Sequence, residues 1–361
     1  MSADQTVRAI GSGPPPAEAR EAGEFEEVHI RRGARSGATM VVAVHRTVGG
    51  RSLGGCRMWH YDHPSLAVAD AKRLARSMSF KAAAAGLALG GAKGVIALPG
   101  GAPPTGQRRE RLLRDFADLV DSLEGRYISG QDVGVSLQDM TFLAGLTSHV
   151  AGRPESAGGC GDPSPYTARG VEAGIRASVA GRLAGCHVVI VGLGHVGADL
   201  ARRLRAAGAQ LTVTDIDSRR RVLADELGAA WVHAGDALRV KADVLAPCAL
   251  GRILDHDAVA ELRVPVVAGA ANNQLAGDDV AADLDGRGIL WAPDFVINAG
   301  GLIAAAGELG GFDRRRALDA VDGIAGTLDE VYAMARMHGT TTLAAARDLA
   351  AGLSAARPLA A

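Results

Sequence analysis

A short apolar run, His187–Val191, leads straight into Gly192-Leu193-Gly194-His195-Val196-Gly197, and a helical pattern follows from Ala198 to Ala207. The next apolar run, Gln210–Thr214, ends at Asp215, 21 residues after Gly194. A strand, a glycine loop, a helix and an acidic residue about 20 positions on form the fingerprint of a dinucleotide-binding unit. Glycines let the backbone approach a pyrophosphate, and a helix N-terminus adds free N–H groups and a positive dipole. Gly192, Gly194, His195, Val196, Gly197 and Asp215 are therefore candidate cofactor-binding residues. His195 receives no catalytic role. Asp215 would accept hydrogen bonds from ribose hydroxyls and repel a 2′-phosphate, which favours NAD over NADP. Arg219, Arg220 and Arg221 pull the other way, because arginine can hold that phosphate. In a chain with 48 glycines among 361 residues, roughly 13% against an average of about 7%, the bare loop is a weak signal. Its flanking strand, helix and acid supply the specificity.

Strand and helix candidates alternate from about Asp162 onward, with further strands at Asp243–Ala246, Val264–Ala268 and Ile289–Ala292. That alternation argues for a mostly parallel sheet covered on both faces. The preceding part reads differently. Ala38–Val44 is a strand candidate, and Ala67, Ala71, Leu74 and Met78 mark one face of a helix from about Ser65. Leu112, Leu113, Phe116, Leu119 and Val120 mark a second helix. A strand at Arg126–Ile128 then leads into Gly130-Gln131-Asp132-Val133-Gly134. Leu318, Val321, Ile324, Leu328 and Val331 form one apolar stripe near the C-terminus, and a last helix starts at Thr341 or Thr342. The length suits two domains. Residues 1–22, with Gly13-Pro14-Pro15-Pro16, are expected to be a mobile tail.

A net charge of −1 gives no electrostatic case for nucleic acid or an anionic membrane. No apolar run approaches the roughly 18 residues of a membrane span, and no signal-peptide pattern is seen. Cys56, Cys160, Cys186 and Cys248 are scattered, so neither zinc nor a disulfide framework is expected, and a cytoplasmic setting fits. The ten histidines show no metal-ligand spacing, and no metal is expected.

Two lysines in small-residue surroundings, Lys81 in Met78-Ser79-Phe80-Lys81 and Lys93 in Gly90-Gly91-Ala92-Lys93, read as turn residues. Paired cations are expensive to bury unless an anion and a reaction use them. Spacing alone leaves them equally readable as solvated surface lysines. Asp132 before Val-Gly is readable as a turn former, and Ser164 and Thr167 as helix caps.

Those segments, with Leu53-Gly54-Gly55-Cys56-Arg57-Met58, Asp162-Pro163-Ser164-Pro165-Tyr166-Thr167, Ala246-Pro247-Cys248-Ala249-Leu250-Gly251, Gly269-Ala270-Ala271-Asn272-Asn273 and Ala292-Pro293-Asp294-Phe295-Val296-Ile297-Asn298-Ala299-Gly300-Gly301, carry a resemblance. In order and from about residue 25 to the end, the chain resembles the leucine/phenylalanine/valine dehydrogenases of the glutamate dehydrogenase superfamily.

The resemblance implies an α/β protein of two domains with a cleft between them. One is an N-terminal α/β substrate and oligomerisation domain (23–152 plus 338–361). The other is a Rossmann-type NAD-binding domain (153–337). It implies reversible oxidative deamination of an L-amino acid to its 2-oxo acid and ammonia, in a homo-oligomer of two to eight subunits. Lys81 and the Gly54-Gly55 backbone would hold the substrate carboxylate. Lys93 would be the general base, with its amine tuned by desolvation and the neighbouring cation. Asp132 would be the acid–base partner. Ser164 and Thr167 would line the nicotinamide end, with Asn272 or Asn273, and Asn298, on the cofactor.

Leu53, Gly130, Leu302 and Ala305 would surround the substrate side chain. Gly130 and Ala305 are small where leucine-specific relatives carry alanine and valine, which favours a bulkier group such as phenylalanine, tryptophan or an extended aliphatic chain. The Asp-Pro-Ser-Pro segment is nearer the leucine/valine branch, so the substrate is read only as an apolar amino acid. Two departures stand out: Ala92 replaces a glycine before the lysine, and Gln131 replaces an acid before Asp132. The rival of another class is an NAD-sensing binding protein without catalysis, against which Lys81, Lys93 and Asp132 all count.

Overall fold

The computed structural model describes residues 24–98, 100, 102–249 and 251–355. The expected tail at 1–22 lies outside them, as does Leu250. The first half builds a mixed sheet from β1 (Glu27–Arg32), β2 (Thr39–Val44), β3 (Ser52–His60), β4 (Gly90–Leu98) and β5 (Tyr127–Gln131), in the order β1-β2-β4-β3-β5. β1, β2 and β4 run antiparallel to their neighbours in turn, while β4, β3 and β5 are parallel. Strand side chains alternate between faces. One face, with Val41, Ala43, Val95 and Ala97, packs against Ala67, Ala71 and Ala75 of the helix Pro64–Ala84. The other, with Met40, Val42, Ala92 and Ile96, packs against Leu112, Phe116 and Val120 of the helix Gly106–Asp121.

The expected periodicities at Ala67–Leu74 and Leu112–Val120 thus mark the buried faces of these two helices. β1, β3 and β4 are not among the strands expected from sequence, and this changes the placement of both lysines. Lys93 lies within β4, and Lys81 in the last turn of the helix Pro64–Ala84, so neither is a turn residue. Their glycine neighbours serve close packing of backbone on backbone. A Cβ on Gly54 would sit 1.6 Å from the Ala92 carbonyl oxygen, and one on Gly91 would sit 2.0 Å from the Ser79 nitrogen.

The second half forms an all-parallel sheet of β6 (His187–Val191), β7 (Gln210–Thr214), β8 (Ala230–Trp231), β9 (Val244–Pro247), β10 (Val266–Val267) and β11 (Leu290–Trp291), ordered β11-β10-β9-β6-β7-β8. This is the doubly wound Rossmann order, and it reverses between β6 and β9, where such sheets open a ligand crevice. β6 and β7 have the bounds expected from sequence; β9 is its candidate shifted by one residue, β10 and β11 are shorter than theirs, and β8 is not among the candidates.

The single C-terminal stripe is broken at Gly323 into helices Arg314–Asp322 and Ile324–His338. Thr341 Oγ1 accepts the Ala344 N–H at 3.2 Å and caps the last helix, Thr342–Ala355. That helix packs against both Pro64–Ala84 and Ile324–His338. The four cysteines are free thiols. Among the described residues, no helix is long and apolar enough to cross a membrane, and no group of three or more His, Cys, Asp or Glu is placed to hold a metal.

Candidate active site

β4 carries Lys93 onto the face occupied by the helix Pro64–Ala84, where the lysine is only 4% exposed. Its Nζ lies 2.8 Å from Oδ2 of Asp132, which follows the end of β5. Arg57 of β3 donates through Nε to the same oxygen at 3.0 Å. Burial alone would raise the Asp132 carboxyl, but the Lys93 and Arg57 charges outweigh it and bring it down to about 2. The carboxylate is therefore ionised across the working range of any ordinary enzyme.

Lys81 is half-buried, yet its ammonium lies deep enough that lost hydration dominates. Burial lowers it to about 8, with Lys93 adding to the fall and Asp294 and Asp132 opposing it. Lys81 Nζ donates to Asn272 Oδ1 at 2.9 Å, and Asn298 Nδ2 donates to the same oxygen at 2.9 Å and to the Ala270 carbonyl at 3.1 Å. A cation of the first half and two amides of the second thus meet in one cleft. Asn298 Oδ1 is buried without a hydrogen-bond partner, so it can accept from a ligand. Asn273 forms a left-handed turn (φ 51°) and is not part of this network.

Leu53, with Ile128 and Ala151, forms a small apolar cluster against which Leu302, Ala305 and Leu309 pack. Gly130 is paired across β3 and β5 with Gly55. A Cβ there would meet nothing closer than the Ala151 oxygen at 3.9 Å, so this glycine keeps open space rather than fulfilling a backbone need. Gly54 and Gly55 differ: a Cβ on Gly55 would lie 2.7 Å from the Gln131 oxygen.

At the switch point, Gly192 has φ 104°, and Cys248 N–H donates to the Val191 carbonyl at 2.8 Å across the mouth of the crevice. A Cβ on Gly197 would come within 2.0 Å of the Gly192 oxygen, whereas one on Gly194 would meet nothing within 4 Å. Gly194 and His195 are exposed and Val196 is half-buried at the start of the helix His195–Ala206. The loop is thus closed against its own helix and open where a pyrophosphate would lie. Asp215 accepts the Leu193 N–H at 2.6 Å and the Asp217 N–H at 2.8 Å, which fixes its carboxylate just past β7, beside the glycine loop. Arg219 is engaged with Asp217 at 2.8 and 2.9 Å. These residues fit NAD.

Comparison with known proteins places the chain in a family. Residues 26–149 match the Glu/Leu/Phe/Val dehydrogenase dimerisation domain, and residues 212–320 match the Glutamate/Leucine/Phenylalanine/Valine dehydrogenase domain. The chain is 40% identical to leucine dehydrogenase of Bacillus cereus over 333 residues, which is 91% of this chain and 90% of the relative. It is 38% identical to L-tryptophan dehydrogenase of Nostoc punctiforme over 338 residues, 92% of this chain and 93% of the relative. The chain belongs to the Glu/Leu/Phe/Val dehydrogenase family.

It is accordingly an NAD-dependent amino acid dehydrogenase. A crystal structure of the Nostoc punctiforme tryptophan dehydrogenase superposes with a TM-score of 0.77 at 35% identity, covering 91% of this chain and 96% of that one. Residues 167–252 also match the NAD-binding domain of the D-isomer specific 2-hydroxyacid dehydrogenases, as a shared Rossmann sheet would give.

Three features of this dehydrogenase were not read from its sequence. Neither Ser164 nor Thr167 caps the helix Ser164–Ser178: Asp162 takes the Ser164 N–H at 2.9 Å, and Thr167 Oγ1 donates to the Pro163 carbonyl at 3.2 Å. Ala92 directs its methyl into the cluster opposite Lys93, beside Phe116 and Tyr127 rather than beside the amine. Arg57 stands in the Leu53–Met58 motif, where the sequence gives it no role. Only its contact with Asp132, 75 residues away in sequence, reveals one.

Proposed function

We propose that this enzyme reversibly deaminates an apolar L-amino acid to its 2-oxo acid and ammonia, with Lys93 as general base and Asp132 as its acid–base partner. The observation that carries the reading is the Lys93–Asp132 pair at 2.8 Å, beside a second cation, Lys81, that reaches across the cleft to Asn272. When bound, NAD accepts the hydride that leaves the substrate Cα. Lys81 and the N–H groups at Gly54-Gly55 hold the carboxylate. Asp132 takes a proton from the amino group as the C=N bond forms. Lys93 takes a proton from the water that attacks the iminium carbon. Asp132 returns its proton to the departing amine; as the C–N bond breaks, the carbinolamine hydroxyl proton passes to the released ammonia, and the oxo acid and an ammonium ion leave.

Leu53, Gly130, Leu302 and Ala305 line the side-chain end. Their apolar character, and the space kept at Gly130, favour a branched or bulkier apolar substrate over a charged one. The relatives named for leucine, tryptophan and phenylalanine support the same range. We place the substrate and oligomer contacts in 23–152 plus 338–361 and the cofactor in 153–337, with the cleft between them. A homo-oligomer is expected from the match to a dimerisation domain.

The test is NADH oxidation with ammonia against a panel of 2-oxo acids. Turnover is expected on 4-methyl-2-oxopentanoate, phenylpyruvate or indolepyruvate, and little on 2-oxoglutarate. Preference for 2-oxoglutarate would overturn the substrate assignment. NADH binding without turnover on any oxo acid would favour a binding protein.

A further inference from the structure

Arg57 is held at both ends. Its Nε meets Asp132 Oδ2 at 3.0 Å, and its Nη1 meets Asp70 Oδ2 at 2.9 Å. Asp70, on the helix Pro64–Ala84, is itself saturated: the Tyr61 hydroxyl donates to Oδ2 at 2.7 Å and Arg73 Nη2 to Oδ1 at 2.6 Å. The Arg57 and Asp70 side chains are about one-fifth exposed, at 21% and 17%. A planar guanidinium gripped in this way has no rotamer freedom left to spend on reorganisation.

Both cations on Asp132, Lys93 and Arg57, converge on Oδ2. No hydrogen bond among the described residues reaches Oδ1. Without Arg57, the carboxylate could turn about its Cβ–Cγ bond and offer both oxygens to Lys93. With it, one oxygen is pinned and the other is left for a ligand.

We propose that Arg57 is a positioning residue: a strut between Asp70 and Asp132 that fixes the carboxylate so that Oδ1 faces the substrate's amino group. The inference rests on Asp132 being the acid–base partner. The charged and titratable groups around that carboxylate are Lys93 from β4, Arg57 and the Cys56 thiol from β3, the Tyr127 phenol from β5, Lys81 and Asp70 from the helix Pro64–Ala84, and Tyr61 after β3. Arg57 is the one that connects Asp132 to a second carboxylate.

The experiment compares wild type, Arg57→Met, Arg57→Lys, Asp70→Asn and the Arg57→Met/Asp70→Asn double variant, with Lys93→Ala alongside. A strut acts on the chemical step, so Arg57→Met should lower kcat by about 10- to 100-fold, less than the roughly 10²- to 10⁴-fold of a whole acid–base contribution, because Asp132 itself remains. KM for the amino acid should move less than about threefold, and NADH affinity should be unchanged. Arg57→Lys keeps a cation that reaches one carboxylate and should recover part of kcat. Asp70 touches no reacting atom, yet Asp70→Asn should lower kcat too, and add nothing once Arg57 is gone. Equal losses in kcat, KM and NADH affinity would overturn the proposal, as would additivity of the two substitutions. If wild type turns over and Lys93→Ala does not, such a result condemns the strut alone. If neither turns over, the underlying reading has failed first.

Discussion

At Gly130 a side chain is absent without any demand from the backbone, in contrast to Gly54, whose Cβ would strike the Ala92 carbonyl at 1.6 Å. This difference between two glycines in adjacent strands separates specificity from folding. Gly130→Ala adds a methyl to open space and should fold normally. Together with Ala305→Val it should lower kcat/KM for an aromatic substrate relative to leucine by about 10- to 100-fold, the discrimination expected of one or two methyl-sized groups. Competition kinetics on phenylalanine and leucine would measure it. His45 offers a second residue-scale expectation. Burial, with Arg46 and Arg76 adding to it and Glu24 and Glu26 opposing, lowers its imidazole to about 4, and Nδ1 lies 2.8 Å from Ser79 Oγ. A histidine held neutral in the folded state and ordinary (~6.5) when unfolded stabilises fully above pH ~6.5 and loses that contribution as pH falls towards 4, about 3 kcal/mol in all. Denaturant titrations at pH 7, 5.5 and 4.5 should show this slope in wild type and a flatter one in His45→Gln.

The elements differ in how openly the sequence displays them. The helices Pro64–Ala84 and Gly106–Asp121 bury one face each, so a 3.6-residue period marks them. β6 and β7 are apolar runs bounded by turn residues. β4 escaped because it begins Gly90-Gly91-Ala92-Lys93, a stretch that reads as a turn until its neighbours in space are known. Every residue of it is buried, so it shows no alternation either. β3 is masked in the same way by Gly54-Gly55. The roles proposed for Lys93 and Asp132 rest on the family resemblance rather than on spacing, and the Arg57 contact is visible through neither periodicity nor motif. The contrast between Ala92 of β4 and Gly54 of β3 leads to a paired prediction. Ala92→Gly should leave kcat and KM unchanged and cost about 1–2 kcal/mol, from the flexibility of an added strand glycine and the loss of a core methyl. Gly54→Ala should instead destabilise by more than about 3 kcal/mol or abolish folding, since backbone must move. Thermal melts of the two variants distinguish these outcomes.

Across the whole molecule, Glu308 ties together segments that meet near the cleft. Its carboxylate accepts from the N–H groups of Gly152, Arg153 and Cys160 at 3.0, 3.3 and 2.7 Å, and from Arg153 Nε at 3.1 Å. It follows the helix Gly300–Gly307, which carries Leu302 and Ala305. The side chain is fully buried, so Glu308→Ala would strand several donors and should cost about 3 kcal/mol, read from the denaturant midpoint. The central claim concerns chemistry across the cleft: Lys93 and Asp132 perform the proton transfers of an amino acid dehydrogenase while the Rossmann crevice holds NAD independently. The most direct test is to measure turnover and NADH affinity together for wild type, Lys93→Ala and Asp132→Asn on the best substrate of the panel. Both variants should lose at least about 10²- to 10³-fold in kcat with NADH affinity within a factor of about two of wild type. Turnover in Lys93→Ala close to that of wild type would contradict the account.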